Sequence, residues 1–256
     1  MSPALQTHAL VKRYGGLLAT DQVSLSLAAG EVHAIIGPNG AGKTTLIGQL
    51  SGDLSPDSGE IDLLGQTITH QTSWQRALSG LGRSYQISST FPEFTVLQCV
   101  ALALQAHRGN SFDTWRPLLS RTEQTTRAEQ AIAQAGLSSR AQRHVSELAH
   151  GERRQLELAM VLVAEPRVLL LDEPTAGMSH HETHSVVDLL ASFKGRYSIL
   201  LVEHDMQAVF ALADTISVLV NGRIIASGRP AEIRDNPDVR TAYLGDEELP
   251  QCANIC

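Results

Sequence analysis

Glu31-Val32-His33-Ala34-Ile35-Ile36 runs without a break into Gly37-Pro38-Asn39-Gly40-Ala41-Gly42-Lys43-Thr44-Thr45 and then into Leu46-Ile47. The first part reads as a buried strand, short and nearly continuous in apolar residues. The last part opens a helix with Leu46, Ile47 and Leu50 on one face. Between them, residues 37–44 fit G-x-x-x-x-G-K-[ST] at every position, in the strand-to-helix context that the mechanism demands. Glycines let the backbone wrap a phosphate chain closely, so that N–H groups and the positive helix end aim at it. Lys43 adds a compact positive charge for the β- and γ-phosphates, and Thr44 offers a hydroxyl to Mg²⁺.

Working outward, Val168-Leu169-Leu170-Leu171 is a second buried strand and delivers Asp172-Glu173 at its C-terminal end. Acids placed there stand at the sheet edge where such folds bind ligands. Asp172 is the candidate for holding Mg²⁺, directly or through water, and Glu173 the candidate general base. A third buried strand is Ile199-Leu200-Leu201-Val202. Ahead of it the capping box Ser179 to Glu182 starts a helix with Val186, Leu189, Leu190 and Phe193, ending by Gly195. Residues 60–64 read as a strand after the turn Pro56-Asp57-Ser58-Gly59. Asn221-Gly222 between residues 216–220 and 223–227 is a hairpin signal.

Strands alternating with helices argue for an α/β sheet. The middle, residues 95–163, is mainly helical in pattern: Val96, Leu97, Val100, Ala101 and Leu104, then Leu156, Ala159, Met160 and Val163 recur at helical spacing. Residues 121–130 read as its polar linker. The expected organisation is one domain: an α/β core in residues 1–94 and 160–246, a helical subdomain in 95–159, and a disordered tail in 247–256.

The chain has 256 residues, enough for one large domain or two small ones. At 43% hydrophobic and 18% charged it buries a sizeable core. A net charge of -7 and 4% aromatics count against a nucleic-acid partner. The longest central apolar stretch, residues 94–106, is shorter than the roughly 20 residues of a membrane span. Neither a signal peptide nor a disulfide framework is legible, and Cys99 reads as a buried free thiol. Together these imply a cytoplasmic protein. His180, His181 and His184 read as a solvated helix face, and the loosely basic set Arg121, Arg127, Arg140, Arg143, Arg153 and Arg154 as a solvated helical surface.

With these motifs in hand, the chain resembles the ATP-binding subunits of ABC transporters over about residues 10–245. Tyr14 matches the aromatic that stacks on adenine in that family. Gln86, in Gly82-Arg83-Ser84-Tyr85-Gln86, matches the glutamine that meets Mg²⁺ and links hydrolysis to the membrane partner. Leu148-Ala149-His150-Gly151-Glu152 takes the place of the family signature, usually Leu-Ser-Gly-Gly-Gln, and His204 matches the switch histidine. The signature departs at three of five positions: Ala149 removes a hydroxyl, while Gly151 keeps the close backbone approach. Ser179 stands where the family often has Asp.

The resemblance implies a P-loop NTPase core with an inserted helical subdomain and an N-terminal antiparallel β region. It implies ATP hydrolysis with Mg²⁺, with Glu173 and His204 catalytic and Thr44, Gln86 and Asp172 at the metal. ATP would be bound by Tyr14, by Gly37, Pro38, Asn39, Gly40, Ala41, Gly42, Lys43, Thr44, Thr45 and Gln86, and by the partner-facing Ala149, His150, Gly151 and Glu152. It implies as partners a second ATPase subunit, identical or not, transmembrane permease subunits and, indirectly, a substrate-binding protein. The site of action would be the inner face of the cell membrane. Residues 148–157 and 172–178, Glu203-His204-Asp205-Met206 and Ala242-Tyr243-Leu244-Gly245 are similar to the branched-chain amino acid uptake group, which includes relatives for urea, amides and organic acids. The lipopolysaccharide-export ATPases, which share Gly151-Glu152-Arg153-Arg154, are the nearest alternative, followed by soluble non-transport ABC ATPases.

Overall fold

The structure, a computed structural model, describes residues 2–84, 91–107 and 122–243. Gln86, Arg121 and the tail 247–256 lie outside the described residues.

The chain opens with β1 (Leu5–Tyr14) and β2 (Leu17–Leu27), a long antiparallel hairpin, followed by β3 (Val32–Ile36) and α1 (Lys43–Ser51). β4 (Ser58–Leu63) and β5 (Gln66–Thr67) complete a four-stranded antiparallel sheet in the order β2-β1-β4-β5. After α2 (Ser73–Leu78) and β6 (Leu81–Arg83) come the helices α3 (Val96–His107), α4 (Thr122–Gln134) and α5 (His150–Leu162). The chain then returns to β7 (Val168–Asp172), α6 (His180–Ala191), β8 (Ser198–Val202) and α7 (Met206–Leu212). It finishes with the hairpin β9 (Thr215–Val220) and β10 (Arg223–Gly228), α8 (Pro230–Asp235) and α9 (Pro237–Tyr243). The second sheet has the order β10-β9-β3-β8-β7-β6 and is parallel except for β10.

Its central strands are buried at every residue and mostly apolar because both faces are covered. Side chains alternate between the faces. Leu169, Leu171, Ile199 and Leu201 pack toward the helical layer of α3–α6, whereas Val168, Leu170, Leu200 and Val202 pack toward α1 and the antiparallel sheet. That alternation puts Asp172, two residues after Leu170, on the α1 side. β3, β4, β7 and β8, the capping box at Ser179 and the hairpin through Asn221-Gly222, both at positive φ, follow the sequence reading.

Residues 121–130 do not. Thr122–Gln134 is a helix, not a linker, because Gln124, Ala128, Ala131 and Ile132 fall on one narrow buried face. Small side chains make that face easy to miss by hydropathy. The basic middle is also less solvated than its composition suggests. Arg154 pairs with Glu157 at 2.7 Å, their side chains only 12% and 10% exposed. Cys99 is buried, and burial pushes its thiol pKa up.

One buried cation holds the end of the phosphate-loop helix. Arg76 is fully covered and donates to the carbonyls of Gln49 (2.6 Å), Leu50 (2.8 Å), Thr69 (2.8 Å) and Gln71 (3.0 Å). Gln49 and Leu50 lie in the last turn of α1, whose carbonyls have no intrahelical donor, and a cation suits that negative end. Arg76→Ala is expected to destabilise the chain by about 3 kcal/mol, from several hydrogen bonds of ~1 kcal/mol and stranded carbonyls. Urea unfolding followed by circular dichroism measures it; an unshifted midpoint would show that α1 does not depend on this cap.

Candidate nucleotide site

The loop between β3 and α1 is wedged between two backbones. A Cβ on Gly37 would lie 2.1 Å from the Leu219 carbonyl oxygen, and one on Gly42 would lie 2.1 Å from that of Ala19. Gly42 also has φ +105°, which L side chains rarely adopt. Ala41 N–H donates to the Pro38 carbonyl (3.2 Å), and Gly222 N–H to that of Ala41 (2.9 Å). α1 starts at Gly42 with no side-chain cap, so its first-turn N–H groups face outward unclaimed by any side chain. Pro38, Asn39, Gly40 and Thr44 are exposed, and Thr45 is half-buried.

Lys43 folds back over the loop. Its Nζ donates to the carbonyls of Gly37 (2.6 Å) and Pro38 (3.0 Å), and the side chain is buried. Burial lowers its pKa, and the charges of Glu173 and Asp172 oppose that. Asp172 is 4% exposed; burial raises its pKa, while Arg83 acts the other way. Backbone N–H groups at the start of α1, the Lys43 ammonium and the Asp172 carboxylate thus lie at one sheet edge, with Thr44 exposed beside them in the chain. This donor set fits a nucleotide with a divalent cation held by oxygens.

Glu173 follows in the left-handed region at φ +48°, a strained choice for a residue other than glycine. Its N–H donates to the Val202 carbonyl at 2.8 Å, tying the end of β7 to the end of β8. His204 Nδ1 stands 3.8 Å from Glu173 Oε1 and 3.7 Å from Glu203 Oε2. Lys43, Asp172, Glu173 and His204 are therefore brought together. Tyr14 ends β1, is exposed, and has Lys12 Nζ 5.9 Å from its ring centre.

The start of α5 stands beside the segment after Glu173, with His150 Nε2 3.5 Å from the Ala176 carbonyl. Ala149 and His150 are exposed at the start of α5, and no hydrogen bond or ion pair among the described residues joins 149–152 to 37–45. Glu152 instead accepts Arg140 Nε (2.6 Å) and Ala149 N–H (3.0 Å), which hold its carboxyl below the usual range. Gly151 N–H donates to Glu182 Oε1 at 3.1 Å, linking the α5 and α6 N-termini. In the sequence Glu182 reads as a cap, and Glu203 and Thr175 read as parts of the stretches shared with the branched-chain group, with no role of their own. A carboxylate ending an apolar strand was the one available sign of Glu203.

A family profile for the ABC transporter matches residues 20–176. The chain belongs to this family. A second profile, the branched-chain amino acid ATP-binding cassette transporter, matches residues 223–248. The high-affinity branched-chain amino acid transport ATP-binding protein LivG of Salmonella typhimurium is 38% identical over 253 residues, 95% of this chain and 98% of that protein. BraF of Pseudomonas aeruginosa is 37% identical over 251 residues, covering 95% and 98%. The lipopolysaccharide export system ATP-binding protein LptB of Acidithiobacillus ferridurans is 33% identical over 248 residues, covering 96% and 99%. Among solved structures, a nucleotide-free ATP-binding cassette from an ABC transporter superposes with a TM-score of 0.85 at 30% identity, covering 95% of this chain and 100% of that one. An ADP conformation of such a cassette gives 0.85 at 29% identity, covering 96% and 100%. The chain is thus an ABC ATPase and binds nucleotide as its family does. Among the described residues no helix is long and apolar enough to cross a membrane.

The Glu182 bridge carries a pH signature. Its carboxyl is held down to about 2, first by the Ser179 hydroxyl and then by the N–H groups of Ser179 and Gly151. A depressed carboxyl contributes stability above its unfolded pKa and loses it as pH falls toward the folded one. The melting-temperature gap between wild type and Glu182→Gln should be full at neutral pH and shrink below about pH 5. A gap that stays constant to pH 3 would separate the bridge from stability.

Proposed function

We propose that the chain is the ATP-hydrolysing subunit of an importer for branched-chain amino acids or a related small polar solute such as urea, an amide or an organic acid. It would work as a nucleotide-sandwich dimer, on the inner face of the membrane, beneath permease subunits fed by a substrate-binding protein. The observation that carries hydrolysis is the convergence of Lys43, Asp172, Glu173 and His204 on the uncapped end of α1.

The β- and γ-phosphates would lie on the N–H groups of residues 37–45, with the Lys43 ammonium beside them. The Thr44 hydroxyl and Asp172, with Gln86, would hold Mg²⁺, which supplies charge neutralisation on the phosphate oxygens when bound. Tyr14 offers an aromatic face to the purine. Glu173 would take a proton from the attacking water at its carboxylate, and His204 would orient it and meet the γ-phosphate. The exposure of Ala149 and His150, with no hydrogen bond from 149–152 to 37–45 among the described residues, supports a dimer in which Ala149, His150, Gly151 and Glu152 of one subunit close the partner's site. Closure on binding and reopening on hydrolysis make a two-state switch.

A groove of about 200 Å³ lined by Ser73, Ala77, Arg83, Ala103, His107 and Met160 supports a permease helix as occupant. Exposed Trp74, 6.4 Å from the His107 ring, offers such a helix an apolar edge. The match of residues 223–248 favours amino-acid import over lipopolysaccharide export, the reading that the LptB relative keeps as second.

Glu173→Gln is expected to keep ATP binding and slow phosphate release by roughly 10² or more, the scale of lost general-base help. Lys43→Ala should abolish nucleotide binding in a fluorescent-ATP titration; unchanged affinity would count against the loop. For the solute, ATPase stimulation of the complex co-purified with its membrane partners should follow leucine-type amino acids with their binding protein. Stimulation by lipopolysaccharide instead would select export.

A further inference from the structure

The side chain of Glu203 is 0% exposed, although it follows directly on an apolar strand. Oε1 accepts the Thr175 N–H at 3.0 Å and also the Thr175 hydroxyl. Oε2 accepts the N–H groups of His204 at 2.9 Å and Asp205 at 3.3 Å. Each of these partners is a donor, which is the environment of an acceptor-only carboxylate. Among the described residues its ion-pair partner is His204, with Nδ1 at 3.7 Å. A carboxylate is costly to bury unless hydrogen bonds replace its water, and here they come from two separate segments.

Those segments flank the reacting groups. Thr175 lies two residues after Glu173, and His204 and Asp205 begin the loop after β8. Glu173 is already tied to Val202 through its backbone, so the end of β7 is fixed. The His204 side chain is 62% exposed, and Asp205 beside it caps α7 by accepting the Gln207 and Ala208 N–H groups. The cap fixes this connection to α7, and the Glu203 clasp alone ties it to Thr175 in the segment after Glu173 among the described residues.

We propose that Glu203 is a positioning residue for hydrolysis: by joining Thr175 to the backbone of residues 204 and 205 it sets His204 against Glu173. This rests on Glu173 and His204 being the hydrolytic pair. Glu203 acts through His204 and does not touch the nucleotide, so turnover should depend on it while ATP affinity does not.

The test compares wild type, Glu203→Gln, Thr175→Val, His204→Ala and the double variant Glu203→Gln/His204→Ala, each in the assembled transporter. The glutamine amide turns an NH₂ toward donors and breaks one arm of the clasp at constant volume. Its kcat should fall about 10- to 100-fold, the scale for a misplaced catalytic group, with KM for ATP unchanged. The double variant should be no slower than His204→Ala alone, because one residue works through the other. Penalties that multiply in the double variant, or wild-type kcat in Glu203→Gln, overturn the proposal. Should Glu203→Gln not fold, Thr175→Val decides: reduced kcat at unchanged KM and melting temperature supports the clasp, and wild-type kcat overturns it. Wild-type turnover in His204→Ala is a separate result, which removes the hydrolytic pair itself and the clasp with it.

Discussion

The parallel ladder β3–β8–β7 is the constraint on which the rest of the molecule depends. Ile35 pairs with Val202, and Val202 pairs with Asp172, so three strands end in register. Whatever follows them emerges side by side at one edge. Gly37 opens the phosphate loop there, Glu203 and His204 follow β8, and Glu173 follows β7. Parallel strands need long crossovers, which is why residues so far apart in sequence meet.

Edge position alone would leave these groups in water. The antiparallel sheet and α1 cover one face of the ladder, while α3–α6 cover the other at β7 and β8 and α7–α9 cover it at β3. Lys43, Asp172 and Glu203 are consequently all buried within a short row. Burial works against each charge, and the row persists because opposite charges and backbone donors stand next to each. Its open places are the uncapped N-terminus of α1 and the exposed His204 side chain. A site built this way holds its own charges in balance and leaves donors outward for an anion. Arg76, at the other end of α1, does the complementary work by satisfying the carbonyls there.

Much of this was legible in residues whose chemistry admits few alternatives. Gly37 to Thr44 could be read because the spacing of glycines, lysine and hydroxyl carries the mechanism. The capping box at Ser179 and the Asn221-Gly222 turn were readable because their local hydrogen bonding or backbone angles need those residue types. α4 was not, since its buried face within residues 121–130 is only Gln124 and Ala128, which hydropathy does not distinguish from a linker, and Ile132 falls beyond that stretch. Glu203 was not, because a carboxylate after an apolar strand is equally a solvated strand end. Only the approach of Thr175 makes it a clasp.

The sequence by itself determined the phosphate loop, the buried strands that carry Asp172 and Glu173, and the α/β class, since local pattern and side-chain chemistry suffice for these. Only the tertiary structure decided which long-range pairs exist: Glu203 with Thr175, Glu182 with Gly151, and Arg76 with the end of α1. Such contacts depend on strand order and on burial. No short window of sequence contains either, because both arise from how separate segments are stacked, 27 to 31 residues apart in these three pairs.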